Sequence, residues 1–224
     1  MYSAAADKPG WPGADQTIWI VANDIGQNIS TPPSTEFAGS DPIGIEYQLT
    51  MWGYNFPSTN PLGNMNFKKA RIIYKGLPDT YTKSDGTDTT YTTTGKNATF
   101  DKFYFAQWGD LDVGDYGDDY AGCDLDLSLG YSYNGNYTDA VYDAEGLGTP
   151  AVGFDFLYDT GGLGMTSFVY YAAGTAISDA DLGSYSGSLQ WYNIFEGMLP
   201  RPAYPDQSPN TNPVTGEESI FWVD

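Results

Sequence analysis

The sequence predicts an all-β protein folded as a β-sandwich, for which a jelly roll is one arrangement, with one short helix near the C-terminus. The chain of 224 residues contains 19 Tyr, 11 Phe, 6 Trp and 27 Gly. Aromatic and β-branched residues favour strands, whereas Gly, Pro, Asn and Asp mark turns. The apolar runs are short and separated by such turn residues, and only one segment has helical spacing.

The first half of the chain contains three predicted strands. Gln16–Ala22 is apolar at nearly every position, which predicts a strand buried on both faces. Ile43–Trp52 alternates between apolar and more polar residues and predicts a half-buried strand. Asn66–Lys75 follows and carries four of the nine basic residues of the chain.

The second half contains further strands around an acidic loop. Residues 77–99 are rich in Thr and predict a long hairpin or flap inserted into the domain. Phe100–Trp108 and Leu125–Tyr133 are predicted strands that enter and leave the acidic loop, residues 109–126, and Asn134-Gly135 predicts a tight turn. The remaining predicted strands are Val152–Tyr158, Thr166–Ala173 and Ser219–Val223.

One helix is predicted between Ser186 and Met198. Its apolar residues recur at helical spacing, and Pro200 ends the pattern. These residues are Leu189, Tyr192, Phe195 and Met198. We expect residues 1–15 to form an extended, Pro- and Gly-rich lead-in, and residues 16–224 to form a single domain.

Charge and cysteine content exclude several classes of function. The chain has 9 Lys and Arg against 29 Asp and Glu, a formal net charge of -20, and no His. Phosphates would be repelled, so we expect no nucleic acid partner, and mechanisms that require His are excluded.

Cys123 is the only cysteine, so no intrachain disulfide forms, and we expect a buried thiol whose ionisation is opposed by nearby carboxylates. No apolar run reaches 18 residues, so we expect no membrane insertion.

The acidic loop is the most distinctive feature of the sequence, because Asp110 to Asp126 contains seven aspartates and no Lys or Arg. Ca2+ takes six to eight oxygen ligands, and closely spaced Asp residues with intervening Gly provide them. The pattern is not an EF-hand, because the position of the bidentate Glu falls on Ala121. The alternative is an acidic surface loop in a protein that is acidic throughout. The predicted calcium ligands are Asp110, Asp112, Asp115, Asp118, Asp119 and Asp124.

Three Asn-X-Ser/Thr sequons are present, and they predict surface glycosylation of a secreted protein. They begin at Asn28, Asn97 and Asn136.

Several segments together resemble part of large secreted or cell-surface proteins of Bacteroidetes- and Ignavibacteria-like bacteria. The segments are DPIGIE (41–46), LGNMNF (62–67), WGDLDVGDYGDDYAGCD (108–124), GYSYNG (130–135), PAVGFD (150–155) and MTSF (165–168). Such proteins often carry fibronectin-like modules and a sorting domain for type IX secretion. The resemblance implies an extracellular or cell-surface location and agrees with calcium in the acidic loop, but it implies no reaction.

Two classes of function fit these observations. The first is a non-enzymatic structural or adhesive protein, stabilised by calcium, that forms a homo-oligomer or a surface fibre or layer. An extended segment, Met1–Gln16 or Gly216–Asp224, would add as a strand to the sheet of a neighbouring copy. The second is a carbohydrate-binding or glycoside-processing domain, in which aromatic side chains stack on glycans. Four tryptophans could stack on sugars, and the alternative is that they pack in the core. They are Trp11, Trp52, Trp108 and Trp191. Because clustered acids share a cation more readily than they separate their pKa values, we expect no enzyme.

Overall fold

The computed structural model describes residues 10–24, 43–77, 80–82, 88–90, 99–158, 161–162, 164–170, 185–200 and 208–209, together with Ala180 and Glu218. Contacts between residues divide the chain into two compact units. The first comprises residues 1–32 and 40–100, and the second comprises residues 33–39 and 101–224. Compact units within a chain can belong to one cooperative fold or to two, so the single domain 16–224 stays a prediction.

The first unit contains an antiparallel sheet of three strands in the order β1-β2-β3. The strands are β1 (Gln16–Asn23), β2 (Ile45–Gly53) and β3 (Asn66–Tyr74). All three predicted strands are therefore confirmed. Asp24 fixes the start of β2, because its carboxylate accepts hydrogen bonds from the backbone N–H groups of Ile43, Gly44 and Ile45 at 2.6–3.0 Å.

The expected burial of β1 on both faces is wrong. Its central residues, Ile18, Trp19, Ile20 and Val21, are 47–57% exposed. Neighbouring residues of a strand point to opposite faces, so both faces of β1 are open. Apolar composition shows that a strand favours burial, but burial also requires another layer that packs on it.

Aromatic stacking covers one end of this sheet. The ring of Trp11 stacks on Trp52 with centroids 4.0 Å apart, and Trp52 stacks on Phe67 at 5.5 Å. The Nζ of Lys69 lies 5.4 Å from the Trp11 ring. Trp11 and Trp52 therefore pack on one another, and both are half-buried.

The Thr-rich segment contains a small ribbon. Strands β4 (Thr80–Thr82) and β5 (Asp88–Thr90) pair antiparallel, as the hairpin prediction requires.

The second unit contains another antiparallel sheet of three strands, in the order β6-β7-β8. The strands are β6 (Asp119–Asp124), β7 (Leu129–Asn134) and β8 (Ala151–Asp155), with a helix, α1 (Ala140–Ala144), between β7 and β8. Strand β8 confirms the start of the predicted strand Val152–Tyr158.

Four local predictions in this part of the chain differ from the structure. Phe100–Trp108 forms no strand, because aromatic alternation favours a half-buried surface without ensuring backbone pairing. The acidic segment forms β6 instead of a continuous loop, and the strand predicted from Leu125 begins only at Leu129. The described part of Thr166–Ala173 contains an isolated bridge at Phe168 but no strand.

The predicted helix is confirmed as α2 (Tyr185–Phe195). Its residues Gln190, Asn193 and Ile194 are buried, and the rings of Tyr192 and Phe195 lie 5.6 and 5.8 Å from that of Tyr104. None of the helices in the described ranges is long and apolar enough to cross a membrane. The described structure is thus mostly antiparallel strands with few helices, which agrees with an all-β class. Ser219–Val223 lies outside the described residues.

Candidate metal centre

Four acidic residues of the second unit lie where β6 begins, β7 ends and α1 starts, namely Asp115, Asp118, Asp119 and Asp139. A 3-10 turn at Tyr116–Asp118 leads directly into β6, and the carboxylate of Asp115 caps it by accepting a hydrogen bond from the N–H of Gly117 at 3.1 Å. Residues Asp119 and Asn134 are paired across β6 and β7. This pairing places their side chains on the same face of the sheet.

Asp139, which the sequence reasoning missed, anchors the loop to α1. Its side chain is buried, 1% exposed, and accepts hydrogen bonds from the N–H groups of Asp115, Val141 and Tyr142 at 2.8–2.9 Å. Hydrogen bonds to a carboxylate stabilise its charged form. The N–H of Asp115 therefore has the largest effect in lowering the pKa of Asp139, and those of Tyr142 and Val141 add to it. Its position directly before Ala-Val-Tyr is the N-cap pattern that could have revealed it.

Gly114 allows this loop to approach Asp139. Its φ is +90°, and a Cβ there would lie 2.5 Å from the Asp139 carboxylate carbon. A side chain at this position would therefore displace either the loop or the carboxylate.

Asp118 and Asp119 are each held by one of their two carboxylate oxygens. The Oδ2 of Asp118 accepts hydrogen bonds from the Nδ2 atoms of Asn134, at 3.0 Å, and of Asn136. The Oδ2 of Asp119 accepts a hydrogen bond from the N–H of Val113 at 2.7 Å.

The other oxygens of these residues are buried without a hydrogen-bond partner. They are Oδ1 of Asp118, Oδ1 of Asp119 and Oδ1 of Asn134. Burial raises the pKa of Asp119, and the charges of Asp118, Asp112 and Asp139 add to this, while the hydrogen bond from Val113 acts in the opposite direction.

The other predicted ligands lie apart from this group or have different roles. Asp124 is at the opposite end of β6, about 17 Å from Asp119 along the strand at 3.3–3.4 Å per residue, and accepts a hydrogen bond from the N–H of Leu127 at 3.0 Å. One ion cannot bind both Asp119 and Asp124. Asp110 and Asp112 are exposed.

The three sequons differ in what the structure describes. Asn28 and Asn97 lie outside the described residues. Asn136 is exposed, and its Oδ1 accepts hydrogen bonds from the N–H and Oγ1 of Thr138 at 2.7 and 2.9 Å. Its Nδ2, the atom that glycosylation would modify, donates to Asp118. Glycosylation of all three stays a prediction.

Within the described ranges, no three His, Cys, Asp or Glu side chains are grouped so that they could hold a metal ion. That criterion leaves out amide and backbone oxygens, which are regular calcium ligands. Cys123 lies on β6, where burial, and then the charge of Asp124, raise the pKa of its thiol. The direction agrees with the expected suppression of its thiolate, but Cys123 is half-buried and not buried as expected.

Comparisons with known proteins add no relative. The chain matches no protein-family model, no curated protein and no solved structure.

Proposed function

We propose that this chain is a non-enzymatic extracellular structural or adhesive protein, stabilised by calcium, and a subunit of a surface fibre or layer built on a β-sandwich. The observation that carries the proposal is the outer edge of β1. Among the described strands, β1 pairs only with β2. Its sequence, QTIWIVAN, contains no charge and no Pro.

Such an edge is unusual for a protein that stays monomeric. Edge strands expose backbone donors and acceptors, and natural sheets normally protect them with Lys, Pro or a bulge. Here the side chains of Ile18, Trp19, Ile20 and Val21 are also about half exposed. Complete burial of such a side chain contributes about 1.5–3 kcal/mol, so covering the remaining half of the two that share a face contributes roughly 1.5–3 kcal/mol. Together with backbone pairing, this favours addition of a strand from a second copy.

The segment that adds to β1 is one of the two chain ends. Residues 11–15 already pack on their own sheet, because Trp11 stacks on Trp52 and the N–H of Asp15 donates to the carbonyl of Gly53 at 3.1 Å. The donor is therefore the part of Met1–Gln16 before Gly10, or Gly216–Asp224. Apart from Glu218, these segments lie outside the described residues.

Cations favour this assembly. A net charge of -20 makes the copies repel one another, and screening or bridging by calcium lowers that repulsion. Extracellular calcium is sufficient for the weak affinities, 10⁻⁴–10⁻³ M, that are typical of extracellular modules.

Sedimentation velocity and electron microscopy of the full chain, with millimolar calcium and with chelator, test the proposal. We expect assemblies in calcium that Ile20→Lys abolishes, since a Lys on an edge strand opposes pairing with a further strand. The matched control is Leu157→Lys, the same charge change at an exposed apolar residue of the second unit. Deletion of residues 1–9 distinguishes the two donors. A wild-type chain that stays monomeric in calcium refutes the proposal.

A second candidate function, carbohydrate binding, is favoured by the tyrosines of the second sheet. Tyr120, Tyr131 and Tyr133 lie on one face of the sheet. The ring centroid of Tyr133 is 6.1 Å from that of Tyr120 and 5.9 Å from that of Tyr131. Gly122 lies under the Tyr131 ring, where a Cβ would come within 2.7 Å. Aromatic faces with polar hydroxyl groups suit the apolar and polar sides of a sugar ring.

A glycan array read with the wild type and with Tyr133→Ala tests this candidate. The control is Tyr137→Ala, since Tyr137 is fully exposed and lies beyond the end of β7. Glycan binding that Tyr133→Ala removes and Tyr137→Ala retains would support carbohydrate recognition over a purely structural role.

A further inference from the structure

Three residues at the junction of β6 and β7, Asp118, Asp119 and Asn134, each have a buried side-chain oxygen without a hydrogen-bond partner. Asn134 is 8% exposed, and its amide nitrogen donates to Asp118 at 3.0 Å and to the carbonyl of Thr138 at 3.4 Å. The amide head therefore lies at the Asp118 carboxylate. Asp119 is the cross-strand partner of Asn134, so the Cβ atoms of the two residues lie on the same face of the sheet, about 4.5–5.5 Å apart.

No cationic side chain of this part of the chain can satisfy these oxygens. Between Lys102 and Arg201 the sequence contains fifteen Asp and Glu and no Lys, Arg or His. Buried acceptors without a donor are costly, and buried carboxylates are normally paired or bound to a metal ion. A positively charged side chain that pairs with these oxygens would therefore have to come from outside this stretch of the chain, and a bound cation is the alternative.

We propose that Asp118, Asp119 and Asn134 bind one divalent hard cation, with the chemistry of calcium, through their Oδ1 atoms. Two carboxylates neutralise the ion, and the amide oxygen is a neutral ligand of the kind that calcium accepts. Backbone carbonyls and water complete the shell. The assignment deepens the calcium component of the proposed function and does not depend on assembly through β1.

This ligand set differs from the one that the acidic spacing predicts. It adds Asn134, which is not an acid, and it leaves out Asp124 at the far end of β6 and the exposed Asp110. Asp112 and Asp115 are also left out, because both are exposed and neither has a buried carboxylate oxygen without a partner.

Thermal melting of the full chain in chelator, calcium and magnesium tests the site, together with terbium luminescence sensitised by neighbouring tyrosines. At a hundredfold excess of calcium over its dissociation constant, the melting temperature of the wild type should rise by roughly 5–10 °C. Asp119→Asn and Asn134→Ala should lose most of this rise and the terbium signal. Asp124→Asn and Asp110→Asn, which make the same charge change as Asp119→Asn, should keep both.

The rise on adding calcium is the decisive quantity, because it is independent of any general loss of stability. If Asn134→Ala does not fold, Asp119→Asn decides alone, since its amide oxygen can still accept the hydrogen bond from Val113. An unchanged wild-type melt, a full rise in Asp119→Asn, or an equal loss in Asp124→Asn would each overturn the assignment. If a proton is the missing partner, chelator has no effect and Asp119→Asn raises the melting temperature.

The variant Ile20→Lys separates the two proposals. A monomeric Ile20→Lys chain that still gains stability from calcium supports the site whatever the outcome for assembly. A wild-type chain that gains this stability without assembling counts against the fibre or layer alone.

Discussion

Replacing Gly114 by Ala should destabilise the fold much more than replacing Gly146 by Ala. Both glycines have positive φ, +90° and +69°, so a Cβ strains the backbone at either position. At Gly146 nothing lies within 4 Å of the added Cβ. At Gly114 the Cβ lies 2.5 Å from the carboxylate carbon of Asp139, closer than real Cβ contacts come.

The two variants share one energetic cost and differ in a second. Left-handed backbone costs an L-residue about 1–2 kcal/mol, which is the whole effect expected for Gly146→Ala. Forcing a methyl group into filled space costs typically about 1–3 kcal/mol more. Gly114→Ala should therefore lose roughly 2–5 kcal/mol, a large part of the 5–15 kcal/mol typical of a whole fold.

Urea unfolding followed by circular dichroism measures both free energies, and the difference between the variants isolates the contact with Asp139. Experiments in chelator keep calcium binding from altering the comparison. Equal losses in the two variants, or a larger loss in Gly146→Ala, would show that the loop does not pack on Asp139 as described.

Three further outcomes follow from particular side chains. Trp11→Ala should cost about 1–3 kcal/mol in urea unfolding, because it removes a stacked ring, whereas the half-exposed Trp19→Ala should cost less than about 1 kcal/mol in the monomer. Cys123 should react slowly with a thiol reagent in the folded protein and rapidly in urea, since burial raises its pKa; fast native labelling would contradict this. Backbone donors lower the folded-state pKa of Asp139, so its contribution to stability is present above the unfolded pKa, about 3.9, and is lost as pH falls through the folded value. Asp139→Asn should therefore destabilise the protein at pH 7 and progressively less below pH of about 4 in pH-dependent melting, and a constant difference would refute this.

Local sequence patterns predicted the elements that depend on local forces. The runs at β1, β2 and β3 combine β-branched and aromatic residues with turn residues at both ends, and the structure places strands there. The spacing of Leu189, Tyr192 and Phe195 identified α2 because a helical face repeats within a few residues. The exposure of β1 could not be predicted in this way, because burial depends on what packs against a strand.

The acidic segment shows what sequence spacing alone cannot resolve. Its aspartates were predicted to be equivalent ligands of one loop, but β6 separates Asp119 from Asp124 by its whole length. Asn134 was read only as part of an Asn-Gly turn, although pairing of β6 with β7 places it opposite Asp119. Strand pairing determines which of these residues meet, and an acidic strand contradicts the propensities from which pairing is predicted.

Asp139 and Asp119 represent two different ways to hold a carboxylate, one at the start of α1 and the other at the start of β6. Backbone donors of Asp115 and α1 satisfy both oxygens of Asp139, so its environment is complete within the protein. Asp119 has one such donor and one oxygen without a partner. If a cation supplies the missing partner, its removal should loosen the start of β6 and the end of β7 while α1 keeps its cap. Amide hydrogen exchange in chelator should therefore accelerate at Asp119 and Asn134 more than in α1, because only the first two depend on a ligand that the chain does not provide.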